Sequence, residues 1–168
     1  FPLKEDEPVN PRLIYPLSKK LMEDVIRSYE TNYGLDIVTL RFFNVFGPRQ
    51  NSFRSSPPLV NYIARCISDE HPATFYSDGS QQRDYVFVDD VTDLITLCID
   101  IPEAANETFN VCTGTLTSVK DVIEYAKKVY PDLEYEFAPS KKYWGAYSRL
   151  HHGPNPLKEE VITKEVNK

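Results

Sequence analysis

The chain has 168 residues, 41% of them hydrophobic and 26% charged, enough to enclose a core of ordinary domain size. No apolar run approaches the roughly 18 to 20 residues needed to cross a bilayer, so no membrane-spanning helix is expected. Acidic residues outnumber basic ones by 25 to 19, and this net charge of -6 argues against non-specific nucleic-acid binding and for a small-molecule or protein partner.

The three cysteines, Cys66, Cys98 and Cys112, are widely spaced and odd in number, without the close Cys/His pairs of a zinc site. They point to a reducing, cytoplasmic setting, and no metal site is expected. The opening residues 1 to 7 lack both the charged and the apolar regions of a signal peptide, and the chain does not begin with methionine.

Residues 1 to 14 are Pro-rich and charged and form an irregular lead-in, with Asn10-Pro11 as cap and first helical position. Leu17, Leu21, Met22, Val25, Ile26 and Tyr29 then recur at helical spacing, which predicts a helix over 16 to 33 stopped by Gly34. Residues 36 to 43 are mostly apolar, β-branched and aromatic, the pattern of a strand buried on both faces of a parallel sheet. A polar loop follows over 44 to 56. Pro57-Pro58 opens a second helix marked by Leu59, Val60, Ile63, Ala64 and Ile67.

Residues 74 to 76 and 84 to 88 read as strands around the turn Ser77-Asp-Gly-Ser80. Val91, Leu94, Ile95, Cys98 and Ile101 trace a third helical face that Pro102 ends, with Asp89 and Asp90 placed to cap its amides. A strand is expected over 108 to 112, then a turn at Thr113-Gly114. Thr117 or Ser118 caps a fourth helix carrying Val119, Val122, Ile123, Ala126 and Val129 before Pro131. The alternation of helix and strand is that of an α/β fold. Beyond residue 138 the periodicity fades into a surface-hugging, partly mobile tail.

Tyr15 and Lys19 are four residues apart at the start of the first helix, so their side chains share one face. A phenol is a poor base at neutral pH, and an ammonium beside it favours the phenolate, so such a pair can exchange a proton with a sugar hydroxyl. Taken alone, a tyrosine and a lysine at this spacing recur by chance on many helices.

The pair stands among further motifs: Tyr15-Pro-Leu-Ser-Lys19, Arg41-Phe-Phe-Asn-Val-Phe-Gly-Pro-Arg-Gln50, Asp78-Gly-Ser-Gln-Gln-Arg-Asp-Tyr-Val-Phe-Val-Asp-Asp90 and Phe109-Asn-Val-Cys-Thr-Gly114. In this order and at these intervals they resemble the NAD-dependent epimerase/dehydratase family of extended short-chain dehydrogenase/reductases, which acts on nucleotide sugars. The resemblance is clear over residues 15 to 114. It implies the C-terminal part of a Rossmann-like doubly wound sheet plus the small substrate-binding subdomain. The segments would be a lead-in over 1–14, a C-terminal Rossmann half with interleaved substrate-binding segments over 15–138, and a tail over 139–168.

The resemblance further implies roles for single residues. Tyr15 is the catalytic acid/base, and Lys19 supports it while hydrogen-bonding the nicotinamide ribose of NAD. Phe43 lies on the nicotinamide side of the cofactor. Asn44 hydrogen-bonds the nucleotide sugar, unless it only shapes a turn at a strand end. Arg83 clamps the substrate diphosphate with its fork of donors, unless it pairs internally with Asp84. Tyr76 contacts the nucleotide base. A homodimer through the first helix is common in the family.

Other features take plainer readings. His151-His152 would be solvated, and Cys112 a small buried hydrophobe rather than a nucleophile. Trp144, Tyr143 and Tyr147 either line a sugar site or bury the tail. The six glycines, at 34, 47, 79, 114, 145 and 153, include no two closer than eight residues, so the family's glycine-rich cofactor turn is not among them. The expectation is therefore of part of an enzyme whose cofactor-binding half is absent and which is inactive by itself. The alternative is a non-catalytic sugar-nucleotide-binding or interaction domain.

Overall fold

A computed structural model describes residues 3–54 and 57–139. The first helix, α1, spans Ile14–Tyr33. Pro16 falls in its first turn, where a missing N–H costs no intrahelical bond. Gly34 closes it in the left-handed conformation (φ 64°), its N–H donating to Glu30 O at 3.0 Å, as the sequence predicts. The start differs from expectation: Leu13, not Asn10, precedes the first turn, and it gives no side-chain cap. The lead-in is drawn away from helix by distant partners instead. The Glu5 carbonyl accepts from Arg41 Nη1 at 2.9 Å, and the Glu5 carboxylate accepts from Asn110 N–H at 2.8 Å.

Two short strands follow, β1 over Thr39–Phe42 and β2 over Asn44–Phe46. The predicted strand over 36 to 43 is thus shorter, because Ile37 exchanges hydrogen bonds with Asn106 in place of a sheet neighbour. It is also half-buried, with Phe42 51% exposed, since β6 is its one strand neighbour among the described residues. The expected loop from residue 44 begins instead with β2.

Helix α2 covers Leu59–Ser68 directly after Pro57-Pro58, and β3 covers Ala73–Tyr76. The two-residue β4, Gln82–Arg83, precedes β5, Tyr85–Phe87. Helix α3 is Val88–Asp100. Asp89 and Asp90 lie inside its first turn, where they face the positive helix end, and the residue before the helix is Phe87, so neither is a cap in the strict sense. A 3-10 turn over Pro102–Ala104 leads to β6, Thr108–Val111. The short β7, Thr117–Ser118, runs into α4, Val119–Val129. Ser118 and Asp121 form a reciprocal capping box there, which confirms the predicted cap. Last comes β8, Tyr135–Ala138, which the sequence pattern did not reveal.

The strands pair in parallel, β1 with β6, β2 with β5 and β3 with β8. Parallel pairs with helices between them establish the α/β class. The chain divides into two units, Phe1–Gln50 with Arg83–Thr117, and Asn51–Gln82 with Ser118–Lys168. The first unit buries Val86, Val91 and Val111, with Leu40, Val45 and Leu94 packed against them. The second buries Ile63, Cys66, Ala73, Phe75, Ile123 and Leu133. No described helix is long and apolar enough to cross a membrane. Trp144, Tyr143, Tyr147, His151 and His152 lie outside the described residues.

Candidate functional site

Tyr15 stands in the first turn of α1 and is 55% exposed. Lys19 sits one turn further along the same face, its Nζ 5.4 Å from the centre of the Tyr15 ring. The helical spacing therefore delivers the predicted juxtaposition of phenol and ammonium, within cation–π range.

Helix α1 is fixed to the sheet beneath it by charge. Arg41 of β1 donates from Nε and Nη2 to the two carboxylate oxygens of Glu23 at 2.8 and 2.7 Å, a bidentate pair. The Arg41 hydrogen bond holds the Glu23 carboxyl below the usual glutamate range, against the opposing effect of burial. No spacing rule links residues 23 and 41, so this tie was not legible beforehand.

Phe43 joins β1 to β2 and is half-buried, its N–H donating to Val111 O at 3.1 Å. It lines a cleft of about 240 Å³ with Leu3, Val9, Phe42, Arg41 and Asn110. Asn44 opens β2 in register with Tyr85. Both its main-chain N–H and its Nδ2 donate to the carbonyl of Asp84, at 3.2 and 3.0 Å. Asn44 is thus no free turn residue but is locked to the chain segment that carries Arg83. Gly47 just after β2 has φ 153°, and a Cβ there would overlap the Val88 side chain, so β2 can leave the sheet only on a glycine.

Arg83 is half-buried in β4, and its charge partly offsets the burial that raises the Tyr85 phenol above its usual range. Next in the chain is Asp84, whose carboxylate is buried. Both of its oxygens are occupied by the 113–114 turn: Oδ1 accepts from Thr113 N–H and Oγ1 at 2.8 and 2.9 Å, and Oδ2 from Gly114 N–H at 2.7 Å. A carboxylate serving turn amides is familiar from local Asx turns, but here the turn lies 29 to 30 residues away, which hid it. Tyr76 ends β3 in the other unit, 38% exposed.

Cys112 is half-buried, its thiol 3.8 Å from Asn110 O, and all three cysteines are free. Cys112, expected to be a small buried hydrophobe, is thus only partly buried. It follows the last residue of β6, where the chain turns outward.

A family profile described as the NAD dependent epimerase/dehydratase family matches residues 2–112. Over 127 residues the chain is 33% identical to a putative UDP-glucose 4-epimerase of Methanocaldococcus jannaschii, covering 76% of this chain and 40% of that protein. The UDP-glucose 4-epimerase of Thermotoga maritima, solved with UDP-glucose, superposes with a TM-score of 0.77 at 31% identity, covering 84% of this chain and 45% of that one. The Thermus thermophilus UDP-glucose 4-epimerase, solved in complex with NAD, superposes with a TM-score of 0.73 at 29% identity over 83% and 46% of the two chains. The chain thus spans less than half the length of these three relatives.

Proposed function

The chain belongs to the NAD-dependent epimerase/dehydratase family, and on that premise we propose that it carries the proton-transfer pair and the substrate-facing residues of a nucleotide-sugar epimerase or dehydratase. The observation that carries this reading is the exposed Tyr15 phenol with the Lys19 ammonium 5.4 Å from its ring. A module that only binds has no need of a paired acid and base.

The chemistry of Phe43 and Lys19 suits the nicotinamide end of NAD, although the cleft at Phe43 does not include Tyr15 or Lys19. Phe43 offers an apolar ring along a cleft, and Lys19 offers donors for a ribose hydroxyl. NAD, when bound, supplies the hydride acceptor for oxidation of a sugar carbinol and returns the hydride afterwards. Tyr15, as phenolate, accepts the proton of that carbinol hydroxyl, and gives it back when the carbonyl is reduced. Lys19 stabilises the negative charge on the Tyr15 oxygen between these steps. Asn44 hydrogen-bonds the nucleotide sugar. Arg83 clamps its diphosphate, because a planar guanidinium matches two phosphate oxygens at once. Tyr76 lies against the nucleotide base, and the unit of residues 51–82 and 118 onward forms the substrate-binding subdomain. The apolar stripe of α1, in which Leu17, Leu21, Met22, Val25 and Tyr29 are 43 to 55% exposed, is the surface of a homodimer.

The test is interconversion of UDP-glucose and UDP-galactose by the protein that contains this chain. Tyr15→Phe should cut turnover by ~10²- to 10⁴-fold with cofactor binding unchanged. Arg83→Lys should weaken nucleotide-sugar binding by about 10-fold and leave NAD binding alone. Turnover by Tyr15→Phe within a few-fold of wild type would reject the proton-transfer assignment.

A further inference from the structure

Among the described residues Asp84 is the single charged side chain that is buried, 2% exposed, and the reaction proposed above gives it no part. Burying a carboxylate is costly unless its oxygens are hydrogen-bonded, and here they are. Thr113 and Gly114 supply three donors at 2.7 to 2.9 Å. The Thr113 hydroxyl also accepts from Thr115 N–H at 3.2 Å, which orients its own proton toward Asp84. The turn at 113–114 closes the fourth sequence motif, for which neither composition nor chemistry had suggested a task.

The main chain of the same residue does something different. The Asp84 carbonyl accepts both the N–H and the Nδ2 of Asn44. A carbonyl can only accept, so the NH₂ of Asn44 faces Asp84 and its Oδ1 faces the other way. The orientation of the amide is therefore decided by where the Asp84 peptide lies. Arg83 is the residue before Asp84, separated from that peptide by the Asp84 Cα. Asp84 thus bonds one of the two proposed substrate contacts and is next in the chain to the other, and its carboxylate anchors it to the turn after β6.

We propose that Asp84 is a positioning residue for substrate binding, its carboxylate clamped by Thr113 and Gly114 so that the Asn44 amide and Arg83 are presented together to the nucleotide sugar. This rests on the reading of Asn44 and Arg83 as substrate contacts. If the carboxylate served folding alone, its replacement would lower stability and leave the affinity of the folded molecules unchanged.

The experiment uses the protein that contains this chain, with UDP-glucose as the probe. Asp84→Asn preserves size but sets an NH₂ against one of the two turn amides. The expected result is a rise of about 10-fold in KM for UDP-glucose, with kcat within about 3-fold and the NAD dissociation constant unchanged. Thr113→Val removes only the hydroxyl donor and should raise KM by about 3-fold, while Thr113→Ser restores it. Adding Asn44→Ala to Asp84→Asn should raise KM by less than the product of the two single changes, because the Asn44 share of the Asp84 effect is already lost. A KM unchanged in both Asp84→Asn and Thr113→Val, with loss confined to the thermal midpoint, would overturn the positioning role. Should Asp84→Asn fail to fold, the Thr113 pair decides alone. Wild-type protein that neither binds nor converts any nucleotide sugar would overturn this inference together with the functional reading beneath it.

Discussion

In the unit made of residues 51–82 and 118 onward, Ile63, Cys66, Ala73, Phe75, Ile123 and Leu133 form one buried apolar cluster, whereas the unit of residues 1–50 and 83–117 brings only Val86, Val91 and Val111 into its own. The larger cluster is continued by aromatic rings. Phe75 meets Tyr62, Phe137 and Tyr135 at centroid distances of 5.8, 6.0 and 6.3 Å. The smaller one is supplemented by polar ties: the Arg41–Glu23 fork and the five hydrogen bonds received by Asp84. The residues proposed for proton transfer, Tyr15 and Lys19, and the proposed substrate contacts Asn44 and Arg83 lie in the unit held by those ties, and Tyr76 in the other. Apolar packing tolerates small displacements because it is non-directional, whereas hydrogen bonds fix a side chain to within a few tenths of an ångström. The division suits a site that must present Asn44 and Arg83 in one fixed arrangement.

The strongest test of this contrast is a pair of truncations. Phe75→Ala should cost about 3 to 5 kcal/mol in urea unfolding, because it removes the centre of the ring cluster, and Val111→Ala about 2 kcal/mol. Equal losses at the two positions would erase the distinction between the units.

A finer test sets charge against packing through pH. The folded Glu23 carboxyl lies below its unfolded value, first because Arg41 donates to it, so its contribution is complete above the unfolded glutamate range and disappears as pH falls through the folded value. Glu23→Gln should therefore lose about 1 to 2 kcal/mol at neutral pH, with the gap narrowing below the unfolded glutamate range and closing below the folded value. A gap of constant size throughout the acid range would mean that Glu23 acts by packing and not by charge.

The smallest expected effect lies in the apolar unit, at the head of α4. Ser118 Oγ accepts from Asp121 N–H at 3.1 Å, and Asp121 accepts from Ser118 N–H at 2.9 Å. Ser118→Ala should lower the unfolding free energy by about 1 kcal/mol, and Ser118→Asn by less. A loss as large as that of Phe75→Ala would place local hydrogen bonding above the core in this unit and reverse the comparison.

Elements with a local cause were legible in the residues. Gly34 ends α1 because a left-handed residue is needed there, and Ser118 begins α4 because its hydroxyl meets an amide three residues on. Tyr15 and Lys19 meet because a helix repeats every 3.6 residues. Elements whose cause lies far along the chain were not. The four residues of β8 form a strand because β3 stands beside them in register, Ala73 with Tyr135 through Tyr76 with Ala138. The three residues of β2 do so because β5 pairs with them.

The same division runs through the site. The sequence by itself determined the α/β class, the family and the placement of Tyr15 and Lys19 on one helix face, since each follows from short-range spacing or from ordered motifs. Only the tertiary structure decided that Asn44 is locked to the Asp84 peptide, that the Asp84 carboxylate serves the 113–114 turn, and that Arg41 grips Glu23. Those partners are 18 to 40 residues apart, and a hydrogen bond across such a distance leaves no periodicity for the eye to find. It exists because folding removes a charged or polar group from water and leaves it one available partner.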